Sequence, residues 1–152
     1  MPIKKTKAAP SGSQRPPSAV RRPLVDVSAA LIFHDDRLLI TRRQAGSHLG
    51  GLWEFPGGKR EAGETFQQCL AREIREELGM EIAVGELFEE VVHHYEERSV
   101  RLKFFVCQWL QGGPRALGCA GFKWVRKNEL AEYAFPAADA RLLQKLTGAQ
   151  LF

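Results

Sequence analysis

The chain has 152 residues, a formal net charge of +4 and 44% hydrophobic content, which is the size of one domain with enough apolar residues to build a core. No stretch approaches the roughly 20 consecutive apolar residues of a membrane span, and the N-terminus lacks the apolar segment of a secretory signal, so no membrane association is expected and a cytoplasmic protein is. Cys69, Cys107 and Cys119 have no metal-ligand spacing and leave an odd one over, which reads as reduced thiols in a reducing compartment.

The positive charge is unevenly placed. Lys4, Lys5, Lys7, Arg15, Arg21 and Arg22 precede the first acid, Asp26, and without these six the chain has sixteen bases against eighteen acids. A polymeric nucleic acid is therefore not an expected partner. Residues 1–22, rich in Pro, Ser, Ala and bases without apolar periodicity, read as a disordered tail, with weak phosphate affinity or organelle targeting as lesser alternatives. Residues 23–152 read as the folded domain.

Leu24 to Phe33 reads as a largely buried strand interrupted by Asp26 and Ser28, turning at His34-Asp35-Asp36 into a second strand from Arg37 to Arg43. Gln44 to Leu52, with Gly46, Gly50 and Gly51, is a loop able to close over a ligand, and His48 within it reads as a surface histidine. Trp53-Glu54-Phe55 resumes a short strand, and Pro56-Gly57-Gly58 turns the chain toward a helix.

That helix has both ends written out. Thr65 followed by Gln68 is a capping box and Gly79 a left-handed stop, so the helix spans about Thr65 to Leu78. Phe66, Leu70, Ile74 and Leu78 form its apolar stripe. Glu73, Glu76 and Glu77 stand at i, i+3 and i+4 near its C-terminus, where like charges repel and the helix dipole disfavours acids. A hard divalent cation would relieve this crowding. The alternative is a solvated acidic face partly neutralised by Arg72 and Arg75.

Beyond the helix, Glu81 to His94 and Val100 to Gln111 read as strands joined by a polar turn at Glu96 to Ser99. The alternation of Arg101, Lys103 and Phe105 with Leu102, Phe104 and Val106 predicts a sheet packed on one side. His93 and His94 point to opposite strand faces and read as pocket wall or surface. Phe122 to Val125 is a last strand, Lys127 to Leu130 starts a helical turn, and Pro136 to Leu146 is a terminal helix. Together these predict an α/β (α+β) fold, a mixed sheet between helices in an α/β/α sandwich.

Gly58, five residues, Glu64, seven residues, Arg72-Glu73-Ile74, one residue, Glu76-Glu77, one residue and Gly79-Met80 resembles the Nudix box at every specified position. The preceding Trp53-Glu54-Phe55-Pro56-Gly57-Gly58-Lys59 is similar to the MutT-type branch, and the resemblance extends over about Leu24 to Leu146. It implies a Nudix sandwich and a Mg²⁺-dependent pyrophosphohydrolase, with Mn²⁺ as the alternative ion, cleaving a nucleoside triphosphate at the inner side of the pyrophosphate. It implies metal ligation by the Gly58 carbonyl, Glu76 and Glu77, with Glu73 as ligand or general base. Glu64 and Arg72 would hold the loop on the helix, Arg43 and Lys59 would face phosphates, and Phe55 and Asp139 would line the base pocket. A monomer is expected, with a dimer as the alternative.

Two departures qualify the resemblance. Gly118 stands where close MutT-type relatives carry an extra glutamate, leaving the metal to the box acids unless Glu96 or Glu97 swings in. Asp139 stands where guanine-selective relatives carry an asparagine. An amide both donates and accepts, whereas an ionised aspartate only accepts and suits an exocyclic amino group such as that of cytosine. Protonated, it could donate to an oxidised purine, and it could instead merely cap or charge its helix start. The expected substrate is an oxidised nucleotide such as 8-oxo-dGTP, with CTP, dCTP or 5-methyl-dCTP as the rival and a catalytically silent nucleotide-binding module as the competing class. ADP-ribose and NADH are less expected, since no proline occurs between Met80 and Pro114.

Overall fold

The computed structural model describes residues 23–149, so the predicted tail, residues 1–22, lies outside the described residues. Seven strands form one mixed sheet: β1 (Leu24–His34), β2 (Arg37–Arg42), β3 (Trp53–Glu54), β4 (Gly57–Lys59), β5 (Glu81–His94), β6 (Ser99–Gln111) and β7 (Gly121–Arg126). Helix α1 (Phe66–Leu78) follows β4, and α2 (Ala140–Thr147) closes the described fold after two 3₁₀ turns, Lys127–Glu132 and Ala137–Asp139.

β1 is the centre of the sheet. One edge runs parallel to β6 from Leu24↔Ser99 to Phe33↔Gln108. Its other edge is shared, pairing antiparallel with β4 at Val27, Ser28 and Ala29 and with β2 at the hairpin end. β2 carries β3 and β7 at its own edges, and β5 pairs with β6 on the far side. The sequence places Pro56 to Gly58 in a turn; the structure makes Gly57–Lys59 a strand. Gly57 is required there because a Cβ would collide with the Ser28 carbonyl.

Alternation along β1 builds both faces of the core. Ala30 and Ile32 meet Leu70, Ile74 and Leu78 of α1, while Ala29 and Leu31 meet Phe104, Leu142 and Leu146 on the α2 side. Phe104 and Phe105 of β6 are both buried, one in each cluster. The expectation of a sheet packed on one side is therefore corrected: strands in the middle of a sandwich bury both faces, and the charged residues alternating near the start of β6 only half reach solvent.

The ends of α1 follow the sequence. The Thr65 side chain accepts from the Gln68 N–H at 3.0 Å, and Gln68 accepts from the Thr65 N–H at 2.9 Å. Gly79 adopts φ 68° and its N–H returns to the Arg75 carbonyl, a conformation that costs L side chains about 1 kcal/mol or more. The terminal segment differs from a continuous helix, because Ala137–Asp139 winds as 3₁₀ before α2 begins at Ala140.

Ile74 is fully buried between α1 and the sheet. Ile74→Ala is expected to destabilise the fold by about 2–5 kcal/mol, read as a lower urea midpoint at an unchanged slope. A loss under about 1 kcal/mol would show that α1 is not anchored through this contact.

Candidate active site

The loop from β4 to α1 brings the box together through one guanidinium. Arg72 donates to both carboxylate oxygens of Glu64, at 2.6 and 3.0 Å, to Glu73 and Glu76 at 3.1 Å each, and to the Lys59 carbonyl at 3.2 Å. Such a fork suits a planar bidentate partner. The hydrogen bond from Arg72, together with one from the Glu61 N–H, lowers the Glu64 carboxyl to about 2, so it stays ionised across the physiological range. The predicted Glu64 and Arg72 pairing is thus present in the geometry.

The three acids at the end of α1, spaced at i, i+3 and i+4, do not share one face. Glu76 points to solvent with its side chain 60% exposed and is tied to Arg72. Glu73 is mostly covered, and burial raises its carboxyl against the opposing pull of Arg72. Glu77 turns inward; burial first, then Glu54 and Glu73, push its carboxyl up to about 8. Its Oε1 is buried with no hydrogen-bond partner. Arg75, the other expected neutraliser, pairs with Glu81 at 3.0 Å instead. The physical reason is that i, i+3 and i+4 positions span an arc wide enough for one side chain to enter the protein while another stays in water.

Among the described residues no three His, Cys, Asp or Glu side chains stand grouped around a ready metal position. Two observations nevertheless fit a cation. The orphaned Glu77 oxygen lacks any positive partner or donor, and the Glu73 carboxyl fills the space that a Cβ on Gly58 would need, which sets it against the backbone of that glycine. Carboxylate and carbonyl oxygens are the donor set of Mg²⁺ and Mn²⁺. The Gly58 carbonyl itself meets the Cys69 thiol at 3.5 Å.

A cavity of about 330 Å³ opens beside these acids, within the range of small-molecule sites. Gly58, Lys59, Glu73 and Glu77 line it, and Phe55, Asp139 and Arg43 line it too, so every predicted phosphate- and base-facing residue reaches one space. Glu76, Glu64 and Arg72 do not line it. Glu96 and Glu97 are exposed in the β5–β6 turn and do not line it either.

Gly118 has a structural role. The N–H groups of Leu117 and Gly118 donate to the Glu77 carbonyl at 2.9 and 3.1 Å, and that of Arg115 donates to the Leu78 carbonyl at 2.9 Å. The loop thereby satisfies carbonyls left open at the end of α1. A Cβ on Gly118 would lie 3.1 Å from Glu77 Cγ, so this loop meets the acid with backbone.

The lining residues that the sequence did not single out include Glu54, Tyr95 and Arg98. Glu54 is half-buried in the short strand β3 and receives Arg43 Nη1 at 2.9 Å, while Arg43 Nε donates to the His48 carbonyl at 2.6 Å. Burial raises Glu54 and Arg43 opposes the shift. Arg43 therefore reaches the cavity already held from two sides. A charge beside Trp53 and Phe55 in a short apolar strand was the available signal. Tyr95 and Arg98, which open and close the β5–β6 turn, also line the cavity; nothing in the local sequence marks them. His48 lines the cavity as well, which corrects its reading as surface alone, and His93 packs on Tyr95 with ring centroids 4.6 Å apart. His94 bonds the Ser99 hydroxyl at 2.6 Å.

Asp139 is 4% exposed and makes no side-chain cap for α2, so the capping alternative does not hold. Burial, then the nearby Glu54, push its carboxyl up to about 7. Trp53 N–H bonds the Ala134 carbonyl at 2.8 Å, which seats the segment leading to Asp139 beside β3.

Fold and site together define a hydrolase of the Nudix type. A family model described as NUDIX domain matches residues 28–145, and the chain belongs to that family. It is 36% identical over 121 residues to the CTP pyrophosphohydrolase of Escherichia coli, covering 80% of this chain and 90% of the relative. It is 34% identical over 125 residues to the 8-oxo-dGTP diphosphatase of Haemophilus influenzae, covering 81% and 91%. Among solved structures, the Escherichia coli ORF135 protein superposes with a TM-score of 0.71 at 34% identity, covering 82% of this chain and 89% of that one. MutT from a study of Aliivibrio salmonicida and Vibrio cholerae gives 0.70 at 31% identity, covering 82% and 97%. Family and relatives make this chain an enzyme acting on phosphoric anhydride bonds, of a family that generally uses divalent metal ions. Among the described residues no helix is long and apolar enough to cross a membrane.

Arg72→Ala is expected to lower kcat/KM about 10- to 100-fold, the usual cost of removing a partner that orients metal-site carboxylates. Arg72→Lys, which loses the two-pronged contact with Glu64, is expected to recover only part of it. Full activity in Arg72→Ala would show that the carboxylates orient themselves.

Proposed function

We propose that the protein is a Mg²⁺-dependent nucleoside triphosphate pyrophosphohydrolase, releasing pyrophosphate and a nucleoside monophosphate, that acts in the cytoplasm on oxidised nucleotides such as 8-oxo-dGTP. The observation that carries this reading is one cavity with Glu77, whose Oε1 is buried without a hydrogen-bond partner, and Lys59 among its walls and a buried titratable Asp139 in the same lining.

The Gly58 carbonyl, Glu73 and Glu77 would hold the cation, with Glu76 on the solvent side; Mn²⁺ has the same donor preference. When bound, the ion neutralises phosphate charge and makes water a better nucleophile. Glu73, oriented by Arg72, is the candidate acceptor for the proton of the attacking water. Arg43, held by Glu54 and the His48 carbonyl, and Lys59 present positive charge to the phosphates. Phe55 lies at the cavity wall, stacked on Phe135 at 5.2 Å.

Asp139 decides between two substrates. In its protonated form it donates a hydrogen bond and suits an oxidised purine; ionised, it accepts from the exocyclic amino group of cytosine. A carboxyl titrating at about 7 populates both forms near neutrality. The second reading, CTP, dCTP or 5-methyl-dCTP hydrolysis, follows from the ionised form and is supported by the identity with a CTP pyrophosphohydrolase.

Two measurements test these roles. Mg²⁺ is expected to raise the melting temperature of the wild-type protein and not that of Glu77→Gln, which also loses at least about 100-fold in kcat, as does Glu76→Gln. Near-normal turnover in either variant would remove that residue from the site. For the base, the rate of pyrophosphate release from 8-oxo-dGTP relative to dCTP is expected to fall as pH rises from 6 to 8.5. Asp139→Asn is expected to flatten that ratio and favour 8-oxo-dGTP throughout. The same shift predicts a stability signature: the unfolded carboxyl ionises near 4 and the folded one near 7, so wild type loses stability relative to Asp139→Asn as pH rises through that window. A ratio unchanged by pH and by the substitution would place base reading elsewhere.

A further inference from the structure

Two polar residues interrupt strand β1, and both hold the segment that leads from β4 into α1. Ser28, fully buried, donates its hydroxyl to the Phe66 carbonyl at 2.7 Å, in the first turn of the helix. Asp26 holds the other end. Its carbonyl accepts the Arg60 N–H at 2.8 Å, one residue past the last β1–β4 pair, Val27↔Lys59, and its Oδ2 accepts Arg60 Nη2 at 2.9 Å and Nε at 3.3 Å. The remaining arm of that guanidinium, Nη1, donates to the Glu64 carbonyl at 2.8 Å, and its Cζ lies 5.3 Å from the centre of the Phe66 ring. Arg60 is one of the five positions that the box leaves open between Gly58 and Glu64. The box spacing therefore assigns it no role.

Glu64 is held at two points, its carboxylate by Arg72 and its carbonyl by Arg60. Burial does not fix this loop, since residues 61–63 are exposed and Gly63 turns with φ 86°. A carboxylate can aim a guanidinium only as well as its own backbone is fixed. With the Glu64 carbonyl released, the Arg72 fork loses its reference, and with it Glu73, which Arg72 holds against Gly58. The Asp26 contact adds little as a stability device: Oδ1 is buried without a hydrogen-bond partner, with Arg101 Nη1 3.8 Å away, and a buried ion pair with unmet hydrogen-bonding capacity is weak support for a fold. A planar guanidinium supplies direction.

We infer that Asp26 and Arg60 are a positioning pair for the metal-binding loop, acting on the acids through the backbone of Glu64. This rests on the metal-dependent hydrolase reading above.

Two measurements on the full chain test it: pyrophosphate release from 8-oxo-dGTP and dCTP, and the Mg²⁺ concentration that gives half of the metal-induced rise in melting temperature without nucleotide. Arg60→Ala is expected to lower kcat about 10-fold and to raise that Mg²⁺ concentration about 10-fold, the cost of losing an outer partner of a metal site, with KM within about twofold of wild type. Arg60→Lys, which cannot bridge Asp26 and the Glu64 carbonyl together, is expected to fall between. Asp26→Asn keeps the size of the side chain and carries the test should Arg60→Ala fold poorly; it is expected to lower kcat in the same sense, and its combination with Arg60→Ala to be no worse than Arg60→Ala alone. Arg101→Ala, which removes a cation beside Asp26 that does not touch the loop, is expected to stay within about twofold of wild type throughout. Wild-type kcat and Mg²⁺ requirement in Arg60→Ala or in Asp26→Asn, a change confined to KM, or additive losses in the double variant would overturn the positioning role alone. Wild-type protein that shows neither turnover nor stabilisation by Mg²⁺ would overturn the hydrolase reading together with it.

Discussion

The Arg72 guanidinium is the contact on which the geometry of the site depends. It joins the loop, through Glu64 and the Lys59 carbonyl, to the helix, through Glu73 and Glu76. Four acceptor groups converge on one cation, and three of them are carboxylates that would repel one another without it. Because the guanidinium is flat and its donors diverge at fixed angles, it sets direction as well as charge. Glu73 is thereby held against Gly58, and the helix is held over β4.

A second feature runs against local stability. Glu54, Glu77 and Asp139 are all shifted upward, chiefly by burial, and Glu54 contributes to raising both of the others. Only Glu54 has a cation, Arg43, as a direct partner. Carboxyls kept out of water with unmet hydrogen-bonding capacity cost stability in the free protein, and that cost is offset when a cation or donor arrives. Perturbed acids in a cleft are the arrangement expected of a functional site.

The fold and the site differed in how much of each could be read in advance. Helix α1 was legible to its end residues because a capping box and a left-handed glycine act within a few positions of one another. Strands β1, β5 and β6 were legible from apolar content and alternation. Strand β4 was not, since a glycine pair carries no strand propensity and pairs only because β1 lies beside it. The outward and inward turns of Glu76 and Glu77 were not legible either. Adjacent residues on a helix differ by about 100° in direction, but which of them enters the protein depends on what packs there, and the loop containing Gly118 occupies that place.

The sequence by itself determined the helix and its caps, the spacing of the box, the charge of its residues and the family they belong to, because these are properties of short segments. It also named Arg43, Phe55, Gly58, Lys59, Glu73, Glu77 and Asp139, which all line the cavity. Tertiary structure alone decided how those groups meet: that Arg43 is held by Glu54, that Asp139 is buried and titrates near neutrality where it could have capped a helix, and that Tyr95 lines the same cavity. Desolvation and contact between distant segments have no local signature, since both depend on which surfaces the sheet and its loops bring together.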